Sequence, residues 1–230
     1  MVIDKESYGL GKNNYFDKSF EKKQIVLGNT LLTDMKHVNG WCHRLGGKYT
    51  KTSTFTIDRK GVIYQHFNPK YYSDFIGDKS VDKKSISISL ENQGWLMKDL
   101  MKDRYIDWVG NIYKRKAKVI EKRWRGYTYW DPYTSKQYKA TLDLIEYLCK
   151  EFGIPKKIVG HNTQIQSIEL YEGITYRSNY YKAWSDEWAN RIAEEYNTSI
   201  SNEDVEEVEE VEGIGFEPGD DLPDEDDTFA

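Results

Sequence analysis

The stretch that most limits how this chain can fold is Thr52-Ser-Thr-Phe-Thr-Ile-Asp-Arg-Lys-Gly-Val-Ile-Tyr-Gln-His-Phe67. Two alternating runs flank Asp58-Arg-Lys-Gly61. Phe55 and Ile57 share one face of the first run, and Ile63, Gln65 and Phe67 share one face of the second. Period-two alternation reads as a half-buried strand, and a short turn ending in Gly reads as a hairpin with a G1 bulge. Gly61 supplies the positive φ that a residue with a Cβ adopts only at a cost.

The rest of the chain arranges itself around that hairpin. Gln24-Ile-Val-Leu27 is a short buried strand. Leu32, Met35, Val38, Cys42 and Leu45 recur at helical spacing, and Gly46-Gly47 ends that helix. Ser85-Ile-Ser-Ile-Ser-Leu90 is a clean strand with Ile86, Ile88 and Leu90 on the core face. Its second face, small and polar, is expected to border an open groove. Residues 98–129 mix bases with aromatics, as in Lys114-Arg-Lys116 and Lys122-Arg-Trp-Arg125.

Thr134-Ser-Lys-Gln137 has the form of a capping box, and Tyr138, Leu142, Ile145, Cys149 and Phe152 mark the stripe of a long helix closed by Gly153 and Pro155. Lys157 to His161 reads as a short strand, and Trp184 to Tyr196 as a last helix. The fold class is therefore α/β: one domain with a twisted mixed sheet flanked by helices. The divisions expected are an N-terminal extension over 1–22 that wraps loosely, a domain over 23–197 and a disordered acidic tail over 198–230.

Charge supports that last division. No Lys or Arg follows Arg191, and residues 199–230 hold 14 Asp and Glu, so a basic body carries an acidic tail. No apolar run approaches the roughly 20 residues of a membrane span, and Met1-Val-Ile-Asp-Lys-Glu6 lacks a signal-peptide core. Synthesis in the cytoplasm without membrane insertion is expected. Cys42 and Cys149 have no metal-type spacing and are expected to be buried, reduced thiols.

The motifs carry a resemblance. Gln24-Ile-Val-Leu-Gly-Asn-Thr30, the hairpin, Ser85-Ile-Ser-Ile-Ser-Leu-Glu91, Tyr133-Thr-Ser-Lys-Gln-Tyr138, Gly153-Ile-Pro155 and Gly160-His161 occur in the order found in zinc-dependent N-acetylmuramoyl-L-alanine amidases. That group includes T7-type lysozyme and the peptidoglycan-recognition proteins, and the likeness spans roughly residues 20–185. It implies hydrolysis of the amide joining N-acetylmuramic acid to L-alanine, with zinc on two His and an Asp or Cys.

Those positions are mostly replaced here. The first ligand position matches Gly28, the second His161 and the third Asn179. The catalytic Glu of some members falls at Ser89, with Glu91 on the same face, and the Tyr or His before the hairpin Phe becomes Ser53 or Thr54. A catalytic zinc needs about three protein ligands, so no cofactor is expected, and zinc only if the protein is active.

The resulting reading is a non-catalytic, peptidoglycan-directed protein of phage or prophage origin, bound to cell wall or virion. Asn29, Tyr71, Trp95 and Arg177 are the candidate substrate-binding residues, with the rings for sugars and Arg177 for a peptide carboxylate. Glu91 is the candidate catalytic residue. A His66–His161–Glu91 cluster is a weaker arrangement for an active, non-standard zinc amidase. Binding of nucleic acid or another anionic polymer by the basic body is the third reading. Residues 199–230 offer a surface to a virion or other protein partner, or shield the body. The protein is expected to reach the wall on lysis or within a virion.

Overall fold

The computed structural model describes residues 1–115, 118–124, 126–160, 163 and 165–180. His161, the expected helix over 184–196 and the acidic segment lie outside the described residues.

Six strands form the main sheet in the order β1 (Ile3–Asp4), β4 (Ile63–Gln65), β3 (Phe55–Ile57), β5 (Ser85–Leu90), β2 (Gln24–Asn29) and β10 (Gly173–Tyr176). β3, β5, β2 and β10 run parallel, and β4 returns antiparallel to β3 through the expected hairpin. Gly61 has φ 82°, and a Cβ there would sit 2.8 Å from the Lys136 carbonyl. Glycine is needed both for the turn and for the close approach of helix α3 (Ser135–Phe152).

α3 begins with the expected capping box between Thr134 and Gln137 and ends at Gly153 in the left-handed conformation. Its buried apolar residues are Ala140, Leu144, Ile145, Leu148 and Cys149, with Tyr138, Leu142 and Phe152 at the margins of the contact. They pack on Ile25, Leu27, Phe55, Ile57, Ile86, Ile88 and Leu90, the apolar side of the sheet.

Three expectations are corrected. Helix α1 is shorter than the spacing predicted, Lys36–His43, and buries His37, Val38 and Trp41. Met35 precedes it with a φ of 56°, so Leu32 and Met35 cannot continue the helical stripe. Cys42 is consequently exposed, whereas Cys149 is buried. Phe67 leaves the alternation of β4 and joins Leu10, Met35, Val38 and Trp41 in a second cluster.

Residues 1–22 do not wrap loosely. β1 pairs with β4, Leu10 N–H donates to His66 O at 2.9 Å, and Phe16 bridges Tyr72. Lys22 is buried with its Nζ donating to the carbonyls of Tyr71, Lys83 and Ser85 at 2.7, 3.0 and 3.0 Å.

The basic, aromatic stretch after β5 builds a second, antiparallel sheet. Its order is β7 (Arg104–Asp107), β6 (Trp95–Asp99), β9 (Tyr127–Trp130), β8 (Ile120–Trp124). Asp131 fastens it to the main sheet. Its carboxylate, with no exposed side-chain surface, accepts from Arg59 Nη1 at 3.1 Å, Gln93 N–H at 2.9 Å and Tyr113 Oη at 2.7 Å.

Candidate functional site

Ligands of open, parallel sheets gather beyond the carboxyl ends of the strands. Here the register sets Gly28 of β2 and Thr56 of β3 on either side of Ser89 of β5. All three lie on the face away from α3. The short polar side chains of this face lead one to expect a groove, but the structure fills it. Ser87 and Ser89 are each less than 5% exposed. Ser87 Oγ accepts from Thr54 N–H at 2.9 Å and lies 3.2 Å from its hydroxyl. The segment carrying Phe75, Ile76 and Val81 packs over Val26. Small side chains here do not leave open space; they allow a second layer to approach closely.

The filling is tightest at Gly28. A Cβ built there would lie 2.7 Å from Arg177 Cδ, 3.1 Å from Arg177 Cγ and 3.1 Å from Phe75 Cζ. β10 places Tyr176 beside Leu27, so Arg177, which opens the short helix α4 (Arg177–Tyr180), arrives beside Gly28. Its guanidinium carbon stands 4.6 Å from the centre of the Phe75 ring, a cation–π contact.

At Thr56 two buried histidines converge. His66 Nδ1 lies 2.8 Å from the Tyr8 carbonyl, which can only accept, so Nδ1 carries the proton. His66 Nε2 then accepts from the Thr56 hydroxyl at 2.8 Å, and His37 Nε2 donates to the same hydroxyl at 3.2 Å. Trp41 meets both rings edge-on. Burial lowers the His37 pKa to about 3, helped by the neighbouring His66 ring, and the His66 pKa to about 4. Both are neutral at pH 7, and His37 Nδ1 has no hydrogen-bond partner among the described residues.

Glu91 stands on the same edge with both oxygens engaged. One accepts from Asp34 N–H, and the other from Arg59 N–H at 3.2 Å. Burial raises its pKa against those two hydrogen bonds. The carboxylate thus ties the β2–α1 connection to the hairpin turn. Asn179 is likewise spoken for: its Oδ1 accepts from Tyr176 N–H at 2.8 Å, and its Nδ2 donates to Gly160 O at 3.1 Å and Thr163 O at 2.9 Å.

Asn29 ends β2, Glu91 follows β5, Trp95 opens β6 and Arg177 follows β10, whereas Tyr71 lies elsewhere. Asn29 is buried, and its Nδ2 lies 4.0 Å from where a Gly94 Cβ would be. Trp95, half-buried, stacks on Tyr127 with ring centres 4.3 Å apart. Tyr71 stacks on Tyr15 within the second cluster.

A zinc ion does not fit the described residues. Position 28 offers no donor and no room for one, and the Asn179 amide is fully used by backbone. Among the described residues no three His, Cys, Asp or Glu converge as a metal site. The residues sequence reasoning missed are Phe75 and the His37–Thr56–His66 chain. The signal for Phe75 was Gly28 itself, since packed interiors do not leave the volume of an absent side chain empty.

A profile of the N-acetylmuramoyl-L-alanine amidase family matches residues 21–172. The chain belongs to that family. Its match runs from just before β2, through Asp131 and α3, to just before β10. Among solved structures the chain is similar to the N-acetylmuramoyl-L-alanine amidase LysC from Clostridium intestinale URNW, at 12% identity, covering 86% of this chain and 99% of that one, TM-score 0.47. It is also similar to the endolysin LysCS from the same organism, at 13% identity over 86% and 97% of the chains, TM-score 0.49. A third is the Ph2119 endolysin of a Thermus scotoductus MAT2119 bacteriophage, at 14% identity over 82% and 93%, TM-score 0.44. A comparison with curated proteins finds no match. No helix among the described residues is long and apolar enough to cross a membrane.

Proposed function

We propose that this amidase-family chain is a peptidoglycan-directed protein that holds cell wall without hydrolysing it. The observation that carries this reading is the packing at Gly28: Arg177 and Phe75 take the volume that a first metal ligand requires. Replacement of a ligand residue alone leaves a cavity that a neighbouring donor or water can enter. Here the second layer has closed over the position, and the family's hydrolytic step has no ion to act through. Wall recognition then falls to the partly exposed groups at the carboxyl edge, half-buried Trp95 and Arg177 among them. The sheets supply the rigid platform that aromatic sugar stacking needs.

In this reading residues 23–197 are the amidase-like unit and residues 198–230 a separate acidic segment. The protein is a phage or prophage product, made in the cytoplasm and delivered to the wall at lysis or within a virion.

The test is a paired assay on purified sacculi. The full chain should pellet with sacculi and leave their turbidity unchanged over hours, with and without added zinc. Clearing that is abolished by a chelator and by His161→Ala would establish an active amidase and overturn the proposal. Failure to pellet would remove the wall-directed role.

A further inference from the structure

We propose that the outer face of the second sheet is a docking surface for the chain's own acidic segment, residues 203–217. The register sets Met97 opposite Ile106, and Ile106 opposite Ile112. Directly opposed residues share a face, so three apolar side chains form a row across neighbouring segments. The alternate positions Leu96 and Asp107 are buried, which turns the row outward. Met97 is 40% exposed and Ile112 45%, and Leu100 and Met101 at the hairpin tip reach 82% and 93%. Lys102 at the hairpin tip and Lys114, two residues on from Ile112, are exposed. Residues 95–130 hold ten Lys and Arg against four Asp and Glu. An exposed apolar row in a basic field calls for a partner that is apolar at intervals and acidic between them.

The chain carries such a partner. Val205, Val208, Val211 and Ile214 recur every third residue, separated by Glu206-Glu207, Glu209-Glu210 and Glu212. Val205, Val208 and Val211 are each flanked by carboxylates, which the lysines near the row can meet. Residues 181–204 can span up to about 80 Å when extended. That is several times the roughly 16 Å radius of gyration of a domain this size, so the segment reaches any face. Tethering holds it at an effective concentration on the millimolar scale, at which even a weak contact is occupied. Docked there, it neutralises the basic face until a competing polyanion or a partner displaces it.

The experiment uses a fluorescein-labelled peptide of residues 201–217. It is titrated into the full chain and into a chain ending at Asn202 whose thermal unfolding matches the full chain's. The peptide should bind the shortened chain and bind the full chain at least tenfold more weakly, because the tethered copy occupies the face. Met97→Ser with Ile112→Ser in the shortened chain should weaken binding at least tenfold. So should a peptide with Val205, Val208 and Val211 changed to Ser, which perturbs no fold. Raising NaCl to about 0.5 M, where screening is strong, should weaken it similarly. No binding to the shortened chain, equal binding to both chains, or indifference to the valines would each overturn the proposal. So would sedimentation of the full chain as a dimer that the truncation abolishes, since the segment would then act between copies.

Discussion

Gly28→Ala adds one carbon where Arg177 and Phe75 already meet the strand. The new Cβ would stand 2.7 and 3.1 Å from Arg177 Cδ and Cγ, and 3.1 Å from Phe75 Cζ. Unstrained carbon contacts lie near 3.5–4.0 Å. Overpacking of this kind costs about 1–3 kcal/mol, offset by about 0.5–1 kcal/mol for removing a glycine from a strand. The net expectation is a loss of about 0.5–2 kcal/mol, or roughly 1–8 °C in Tm for a chain of this length. Placed on Arg177→Ala, the same substitution should cost at least about 1 kcal/mol less, because only the Phe75 contact remains. Urea unfolding of the four proteins gives the coupling directly. A Gly28→Ala protein as stable as the parent, or an equal loss in both backgrounds, would refute the packing argument. The case against a metal ligand at this position would fall with it.

Three further outcomes are expected. The His37 and His66 rings should stay neutral in ring-carbon NMR titrations down to about pH 5, and a midpoint near 6.5 for either would refute their burial. Their folded pKa values lie below the unfolded value, so the unfolded chain binds more protons. Their contribution is intact above about pH 6.5 and is lost towards pH 4, by up to about 1.4 kcal/mol per pH unit for each ring. Asp131→Ala, which strands Arg59 and Tyr113, should lower stability by about 3–5 kcal/mol in urea unfolding. Thr134→Ala should cost about 1 kcal/mol or more, since that hydroxyl both caps α3 and donates to Arg59 O, and Thr134→Ser should restore most of it.

The elements that read correctly from sequence are those whose signal is local. The hairpin at Asp58–Gly61, the capping box at Thr134 and the alternation of β5 depend on neighbours a few residues away. Helix α1 read less well because Asp34 and Met35 adopt positive φ, a choice imposed by the turn out of β2 and invisible in apolar spacing. The second sheet was legible only as a basic, aromatic stretch, since its strands are irregular and Asp131, which fastens it, finds its partners in distant segments at Arg59, Gln93 and Tyr113. At the candidate site the substitution at Gly28 was visible. What packs against it was not, because Phe75 and Arg177 come from segments 47 and 149 residues further along. No spacing rule links such positions.

Gln137 shows how few groups hold this fold as one unit. Its Oε1 accepts from Thr134 N–H at 3.1 Å, while its Nε2 donates to Glu91 O at 2.8 Å and Ile57 O at 3.3 Å. One fully buried amide therefore fastens the first turn of α3 to the last carbonyl of β3 and to the carbonyl just past β5. The helix has no way to lift off alone: any opening there also frees two strand ends. Amide protons in these three segments should then exchange with solvent through a single shared opening, at the rate set by unfolding of the whole domain.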